Sequence, residues 1–151
     1  MSRWKRAKLG EYCEFQEGYV NPSQKNPEYF DGDVKWIRAV DLNNGYVYNT
    51  SRTLSEKGFK SAGKSALLFE PNTIMISKSG TIGRLGIIKD YMCGNRATIN
   101  IKPKSNADLG FIFFLLLTNQ SMIADLAVGS VQRNLYISIL ENIEFDFPGL
   151  E

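Results

Sequence analysis

The sequence predicts an α+β fold: a single compact domain of many short, twisted β-strands and hairpins, with helices clustered in the C-terminal third. Over the first hundred residues, short β-branched and aromatic runs alternate with glycine, proline and asparagine, which is typical of hairpins. The clearest helical pattern comes only after Asp108. Because strands come early and helices late, the order does not fit a doubly wound parallel sheet.

Length and composition fit one soluble domain over residues 1–151. The chain is 43% hydrophobic, and its longest apolar run, residues 111–117, is too short to span a bilayer. No basic and then apolar leader opens it, so we expect a cytoplasmic protein without membrane partners. Cys13 and Cys93 are isolated and the chain has no histidine, which predicts free thiols, no metal site, no cofactor and no histidine base.

The first fifty residues contain four candidate strands. They are residues 2–8, 15–17, 34–38 and 46–48. In the third, Val34, Trp36 and Arg38 alternate onto one face. Because Asn44 and Gly45 form a turn signal between the third and fourth strands, we expect those two strands to form a hairpin.

The middle of the chain combines a short helix with further strands. Ser55 is the expected N-cap of a helix that reaches Ser61 and carries Lys57, Lys60 and Lys64 near one edge. Residues 66–69 and 73–77 are predicted strands, and residues 96–102 alternate as a partly exposed strand that Pro103 ends.

A glycine-rich hairpin is the most informative stretch. Two β-branched runs, residues 73–76 and 85–88, flank a loop, and three glycines recur at three-residue spacing, Gly80 and Gly83 in the loop and Gly86 in the second run. The loop has the cations Lys78 and Arg84 and the hydroxyls of Ser77, Ser79 and Thr81. Glycines allow close approach, so phosphate is the natural ligand. The alternative is a tight turn with solvated cations.

The C-terminal third contains the predicted helices. The first covers residues 108–117, capped by Asn106 or Asp108, and its apolar residues, including Phe114, predict burial. A second covers residues 121–128 and ends at Gly129, and a short third covers residues 138–141. The last predicted strand is residues 143–147.

The charge distribution favours a polyanionic partner. Although the net charge is only +2, the segment from Arg52 to Lys104 contains ten lysines and arginines against three acids. Such a basic segment is typical of a surface that follows nucleic acid, although a solvated charged face is an equal alternative.

Three consecutive polar residues, Gln132, Arg133 and Asn134, provide donors and acceptors suited to base edges. The alternative is a polar turn whose side chains cap neighbouring backbone groups. No acid pair or nucleophile pattern indicates catalysis, so the chemistry that the sequence indicates is recognition.

Together, several motifs resemble the target-recognition domains of type I restriction-modification specificity subunits. They occur in order along nearly the whole chain: Leu9-Gly10-Glu11, Trp36-Ile37-Arg38 with Asp41-Leu42, residues 76–84, Asn95-Arg96-Ala97, residues 129–135 and residues 143–148. Arg96 is a departure, since the family has glutamine there.

The resemblance implies a non-catalytic module that reads one half of a split double-stranded DNA target and directs a methyltransferase subunit and, in the full complex, a restriction subunit. It also implies a second target-recognition domain, in cis or by dimerisation. The family's long spacer helix is absent after Pro148. The alternative class is a protein-interaction module without DNA binding.

Within this resemblance, the expected DNA-binding residues divide into two groups. Phosphate contacts are expected from the cations Lys57, Lys60, Lys64, Lys78, Arg84 and Arg96. Ser79, Thr81, Gln132, Arg133 and Asn134 complete the predicted set, mainly as architecture and phosphate positioning. Base specificity is expected from the less patterned loops at residues 21–33, 43–52 and 55–64.

Overall fold

The computed structural model describes residues 3–149, which form ten strands and four α-helices. The strands are β1 (Trp4–Lys8), β2 (Cys13–Glu17), β3 (Phe30–Ile37), β4 (Gly45–Val47), β5 (Arg52–Leu54), β6 (Thr73–Ser77), β7 (Leu85–Ile88), β8 (Cys93–Gly94), β9 (Thr98–Pro103) and β10 (Glu144–Pro148). The helices are α1 (Glu56–Lys60), α2 (Leu109–Thr118), α3 (Gln120–Asp125) and α4 (Ile137–Leu140). Ser2, in the first predicted strand, lies outside the described residues.

The strands form three sheets. A five-stranded sheet has the order β2-β9-β6-β7-β4, a three-stranded sheet has the order β5-β3-β8, and β1 pairs with β10. All pairs are antiparallel except β4 with β7 and β3 with β8. Early strands with late helices confirm the α+β prediction.

The five-stranded sheet separates two apolar clusters. On one face, Ile74 and Ile76 of β6 pack with Ile112 and Leu116 of α2. Met75, between those two isoleucines, points to the opposite face and joins the second cluster with Ile37 and other residues. A β-strand sends successive side chains to opposite faces, so an unbroken apolar run is expected for a strand buried on both sides.

The glycine-rich hairpin forms as predicted. Its two strands, β6 and β7, pair antiparallel with Ile76 opposite Leu85. The predicted caps also form: the side chain of Ser55 accepts a hydrogen bond from Gly58 N at the start of α1, and that of Asp108 accepts one from Phe111 N at the start of α2.

The predicted hairpin between residues 34–38 and 46–48 is wrong. β3 pairs with β5 through Trp36 and Arg52, whereas β4 lies parallel to β7 in another sheet. The turn signal at Asn44 is real, but Asn44 directs the chain to Leu85: Asn44 N donates to Leu85 O, at 2.7 Å. Residues 66–69 are also not a strand, and only Phe69 forms a bridge, with Met92.

Strand β9 is central and more buried than predicted, because residues 98–101 are buried and only its C-terminal end, at Lys102, is exposed. It lies between β2 and β6, and its polar residues Thr98 and Asn100 are buried. Asn100 fits because its side-chain amide donates to the hydroxyl of Thr73, at 2.9 Å. The polar positions that looked solvent-facing in the sequence are therefore paired inside the domain.

Two predictions for the helices need correction. Phe114 of α2 is 63% exposed, because the buried stripe of that helix is Ile112 and Leu116. Helix α3 ends at Asp125, before the predicted Val128, which instead bridges to Asn134. No helix in residues 3–149 has the length and apolarity needed to cross a membrane.

Candidate nucleic-acid interface

The loop between β6 and β7, residues 78–84, is called here the central loop. Its ends close on Ser77, whose backbone carbonyl accepts from Gly83 N and whose hydroxyl accepts from Arg84 N, both at 2.9 Å. The Ser77 hydroxyl also donates to Thr81 O. Gly80 and Gly83 have φ of 72° and 91°, which L side chains adopt only at a cost. The glycines therefore fix a closed turn.

Lys78 anchors the central loop to β2. Its Nζ lies 2.6 Å from Glu17 Oε1, and the two side chains are only 14% and 21% exposed. Desolvation alone would raise the pKa of Glu17, but hydrogen bonds from Lys78 and Tyr19 outweigh it and hold the pKa below its usual value. The Lys78 backbone also accepts from Leu135 N, at 2.8 Å. Lys78 is thus engaged within the protein.

Beside the central loop is a cleft of about 500 Å³, called here the Arg38 cleft. Its lining consists of residues 21–25, Trp36, Arg38, Ser79 and residues 95–97. The loop at residues 21–25 is held against the turn before β9, because Val20 N donates to Gly94 O and Arg96 N donates to the side chain of Asn21. Gly18 allows this approach, since a Cβ there would lie 2.4 Å from Asn95 O.

The charge of the Arg38 cleft is entirely positive. Its lining includes Lys25, Arg38 and Arg96 and no carboxylate. Within residues 3–149, none of these three side chains lies within 4 Å of a carboxylate, and the same holds for Arg84 at the end of the central loop. Gln24 and Asn95, which have side-chain amides, also line the cleft. A cleft that has cationic and amide side chains but no carboxylate is suited to bind a polyanion that also presents hydrogen-bond donors and acceptors.

The predicted trio 132–134 lies outside the Arg38 cleft. Gln132 and Arg133 line a second cleft with Gly80, Ile82, Ala124, Asp125 and Val131. Arg133 Nη2 donates to Ala127 O at 3.1 Å, and Asn134 exchanges backbone hydrogen bonds with Val128 at 2.9 Å. The Arg133 side chain thus caps a backbone carbonyl, as in a polar turn, and Asn134 pairs through its backbone. Gln132 and Arg133 are both exposed.

The lysines of α1 are not part of either cleft. Lys57 pairs with Glu28 at 3.0 Å and Lys60 pairs with Glu56 at 2.6 Å, all at the exposed surface. Lys64 follows in the short helical turn Gly63–Ser65 and is exposed without an ion pair in the described chain. The structure therefore brings Ser79 and Arg96 together in one cleft and leaves these lysines apart.

Arg38 and Lys25 were not among the predicted site residues. Arg38 Cζ lies 5.1 Å from the centroid of the Trp36 ring. Arg38 directly follows β3. The alternation of residues 34–38 could have indicated it, because residues 36 and 38 share one face of an extended chain and an arginine beside a tryptophan suits stacking. Lys25 lies in the loop at residues 21–33, from which base specificity was expected, but no local pattern distinguishes it from the other residues of that loop.

The described residues contain no group of three His, Cys, Asp or Glu that could hold a metal ion. Cys13 and Cys93 are buried and unpaired, as predicted. Burial raises the pKa of each thiol to about 12, although Lys104 opposes this for Cys13. Neither thiol is a nucleophile near neutral pH.

Comparisons with known proteins agree on one family. The family model described as "Type I restriction modification DNA specificity domain" matches residues 1–151. The MjaIX specificity subunit of Methanocaldococcus jannaschii is 30% identical over 139 residues, covering 89% of this chain and 32% of the relative. A putative type I specificity subunit of Mycoplasma genitalium is 31% identical over 142 residues, covering 93% of this chain and 30% of the relative.

Solved structures agree in fold. A chain from a structure of type I R-M system assembly and conformational transition superposes with a TM-score of 0.74 at 15% identity, over 98% of this chain and 35% of that chain. The HsdS subunit from Thermoanaerobacter tengcongensis gives 0.68 at 14% identity, over 97% and 33%. The chain spans about a third of the length of the relatives it matches. Because the family model matches residues 1–151, the whole length of the chain, this chain belongs to the type I restriction modification DNA specificity domain family.

Proposed function

We propose that residues 1–151 form one target-recognition domain that binds double-stranded DNA sequence-specifically and reads one half of a split target. The observation that carries this proposal is the Arg38 cleft, where Lys25, Arg38 and Arg96 converge beside amide groups without any carboxylate. Because a duplex is lined by phosphates and presents base edges in its grooves, it needs both kinds of group. Membership of a DNA specificity family supports the same conclusion.

In this proposal the cations have different roles. Lys25, Arg84 and Arg96 contact phosphates, since their side chains have no ion pair in the described chain. Ser79 and Thr81 add hydroxyl contacts from the central loop, and Lys78 holds that loop in place through Glu17. Gln132 extends the surface past the loop, with Arg133 and Asn134 shaping its turn. Lys57 and Lys60 of α1, and Lys64 in the turn after it, contact phosphates that flank the half-site.

The domain is proposed to act as the non-catalytic part of a larger assembly. We place it in the cytoplasm with a methyltransferase subunit and, in the complete system, a restriction subunit. A second target-recognition domain, in the same chain or supplied by dimerisation, reads the other half of the target. The whole relatives named above are specificity subunits about three times as long, which leaves room for such a second domain.

The test is selection of bound sequences from a randomised duplex pool at two salt concentrations. The phosphate contacts of Lys25, Arg84 and Arg96 alone predict binding that weakens at least roughly 40-fold between about 50 and 200 mM monovalent salt, and the flanking lysine contacts would steepen this dependence. Arg84→Ala and Arg96→Ala should each weaken binding to every sequence and reduce the salt slope by about one. Lys5→Ala is the matched control, because Lys5 carries the same charge on β1 and lines neither cleft.

The possible outcomes of this selection distinguish whether the domain recognises DNA at all and whether it does so through the proposed surface. Enrichment of a short motif with loss of affinity in Arg96→Ala supports a half-site reader. Binding that is insensitive to salt, or that Lys5→Ala weakens as much as Arg96→Ala, contradicts the proposed surface. No binding even when a second domain is supplied contradicts DNA recognition itself.

A further inference from the structure

Gln24 brings a side-chain amide to the Arg38 cleft from a loop outside the motifs shared with the family. It is exposed and lines the cleft. The other amide of the lining, Asn95, lies in a shared motif, and its side-chain oxygen already accepts from Ala97 N at 3.1 Å. A residue that reads a base has to differ between domains with different targets, so Gln24 is the better placed of the two for base readout.

The backbone that carries Gln24 is fixed on both sides. Gln24 lies in a turn that is closed by a hydrogen bond from Asn26 N to Ser23 O, at 3.2 Å. Just before this turn, the side chain of Asn21 accepts from Arg96 N at 2.9 Å. The position of Gln24 in the cleft is therefore defined before any DNA arrives.

Arg52, the first residue of β5, reaches the side chain of Gln24. Its Nη1 donates a long hydrogen bond, of 3.5 Å, to Gln24 Oε1. The guanidinium carbon lies 3.9 Å from the centroid of the ring of Phe30, which is buried. A guanidinium stacked on a fixed ring loses much of its rotational freedom. Arg52 thus offers a fixed donor to the amide.

The contact with Arg52 determines which way the amide of Gln24 faces. An arginine side chain has donors only, so the amide oxygen turns towards it and the amide nitrogen turns away. Within residues 3–149, Gln24 Nε2 donates no hydrogen bond, and Oε1 keeps a second lone pair. The amide therefore keeps both an acceptor position and free donors for a ligand in the cleft.

This combination of donor and acceptor matches adenine. In the major groove adenine presents the N7 acceptor beside the N6 amino donor, and a glutamine amide pairs with both at once. Guanine presents two acceptors at the same edge, so one of them would face the amide oxygen. Lys25 and Arg96, in the same lining, are the cations proposed above to hold phosphates of the duplex.

We propose that Gln24 is a specificity-determining residue that reads an adenine of the half-site, with Arg52 as its positioning residue. This inference rests on the proposed function, since it names the group that reads one base pair of the DNA. Neither residue lies in the motifs shared with the family, so both are free to differ between domains with different targets.

The test compares sequence preference instead of affinity alone. The wild-type domain and the variants Gln24→Ala and Gln24→Glu are each offered the randomised duplex pool, and discrimination is then measured on duplexes that differ at one base pair. Gln24→Ala should lose roughly 5- to 150-fold of discrimination at a single A·T pair and keep its preference elsewhere. Gln24→Glu keeps the acceptor but has no donor, so the preferred base at that position should change from adenine to cytosine, whose N4 amino group a carboxylate accepts.

The role of Arg52 is tested at the same base pair. Arg52→Met keeps an adaptable apolar side chain over Phe30 but removes the donor, so it should relax the A·T pair more weakly than Gln24→Ala. Arg52→Lys should recover part of the preference, because lysine restores a cationic donor without the planar fork. A loss of preference at one base pair, with the others unchanged, is not expected from a merely structural role.

Gln132→Ala is the matched control, because Gln132 is an exposed glutamine that lies outside the Arg38 cleft. It should leave the motif unchanged. Melting curves recorded for every variant separate a loss of preference from a loss of folding.

The failures are distinguishable. A wild-type domain that enriches no motif overturns the proposed function and this inference with it. A wild-type domain that enriches a motif, while Gln24→Ala keeps the same discrimination at every base pair, overturns the inference alone. Relaxation at a G·C pair instead of an A·T pair, or relaxation that Gln132→Ala reproduces, also overturns it. An unchanged preference in Arg52→Met overturns the positioning role of Arg52.

Discussion

The pair between Glu17 and Lys78 gives the sharpest prediction about stability. Glu17→Gln keeps the shape of the side chain and removes the charge that holds Lys78 Nζ at 2.6 Å. Because the two side chains are 14% and 21% exposed, the loss should exceed that of a surface ion pair. A hydrogen bond to a charged group contributes about 1.5–3 kcal/mol, so we expect about 2 kcal/mol of lost unfolding free energy. For a domain of this size, 2 kcal/mol corresponds to a fall in Tm of roughly 4–8 °C.

The pH dependence of this loss follows from the lowered pKa of Glu17. A carboxyl whose pKa is lower in the folded state stabilises the fold above its unfolded pKa, near the usual value of 4.5, and loses that contribution as pH falls through the folded value. The difference between wild type and Glu17→Gln should therefore be constant near neutral pH and shrink below about pH 4.5. Urea unfolding at several pH values measures it.

The control for this experiment lies on the same strand. Glu14 is exposed on β2, so Glu14→Gln should change the unfolding free energy by less than about 0.5 kcal/mol. If Glu17→Gln is as stable as Glu14→Gln at pH 7, or if its deficit persists undiminished at pH 3, then Lys78 is not anchored by Glu17 as argued.

Three further outcomes are expected. Ser55→Ala removes the acceptor for Gly58 N and should cost about 1 kcal/mol in urea unfolding, and a Ser55→Asp variant that fails to retain more stability than alanine would contradict the capping role. Gly83→Ala forces a side chain into φ of 91° and should cost roughly 1–2 kcal/mol, whereas an unchanged Tm would mean that the central loop is not fixed. Cys13 and Cys93 should resist an aromatic disulfide reagent at pH 8 in the native domain and both react in guanidinium chloride; rapid native labelling would contradict their burial.

Local patterns were sufficient for the elements whose partners are close in sequence. The hairpin of β6 and β7 follows from two β-branched runs around a glycine loop, and α2 begins at a capping aspartate. The parallel pairing of β4 with β7 joins residues about forty positions apart, and no local turn signal encodes such a contact. The turn at Asn44 was therefore assigned to the wrong partner strand.

In the candidate site, too, features that depend on local sequence could be predicted, whereas features that depend on residues distant in sequence could not. Arg96 and Ser79 could be selected because each stands in a patterned motif, and the structure brings them to one cleft. Lys78 also stands in a patterned motif, but its charge is paired with that of Glu17, which lies sixty-one residues earlier in the chain. The position of Arg38 depends on Ser51 and Asp41, whose contacts only the folded chain reveals.

The most direct test of DNA recognition at this surface is amide hydrogen exchange of the domain with and without its selected duplex. The account predicts slower exchange at residues 21–25, in the central loop at residues 78–84 and at residues 95–97, with little change in β1 and β10. Protection confined to β1, β10 and α2, or no protection at a duplex concentration that saturates binding, would contradict the claim that the Arg38 cleft and the central loop face the DNA.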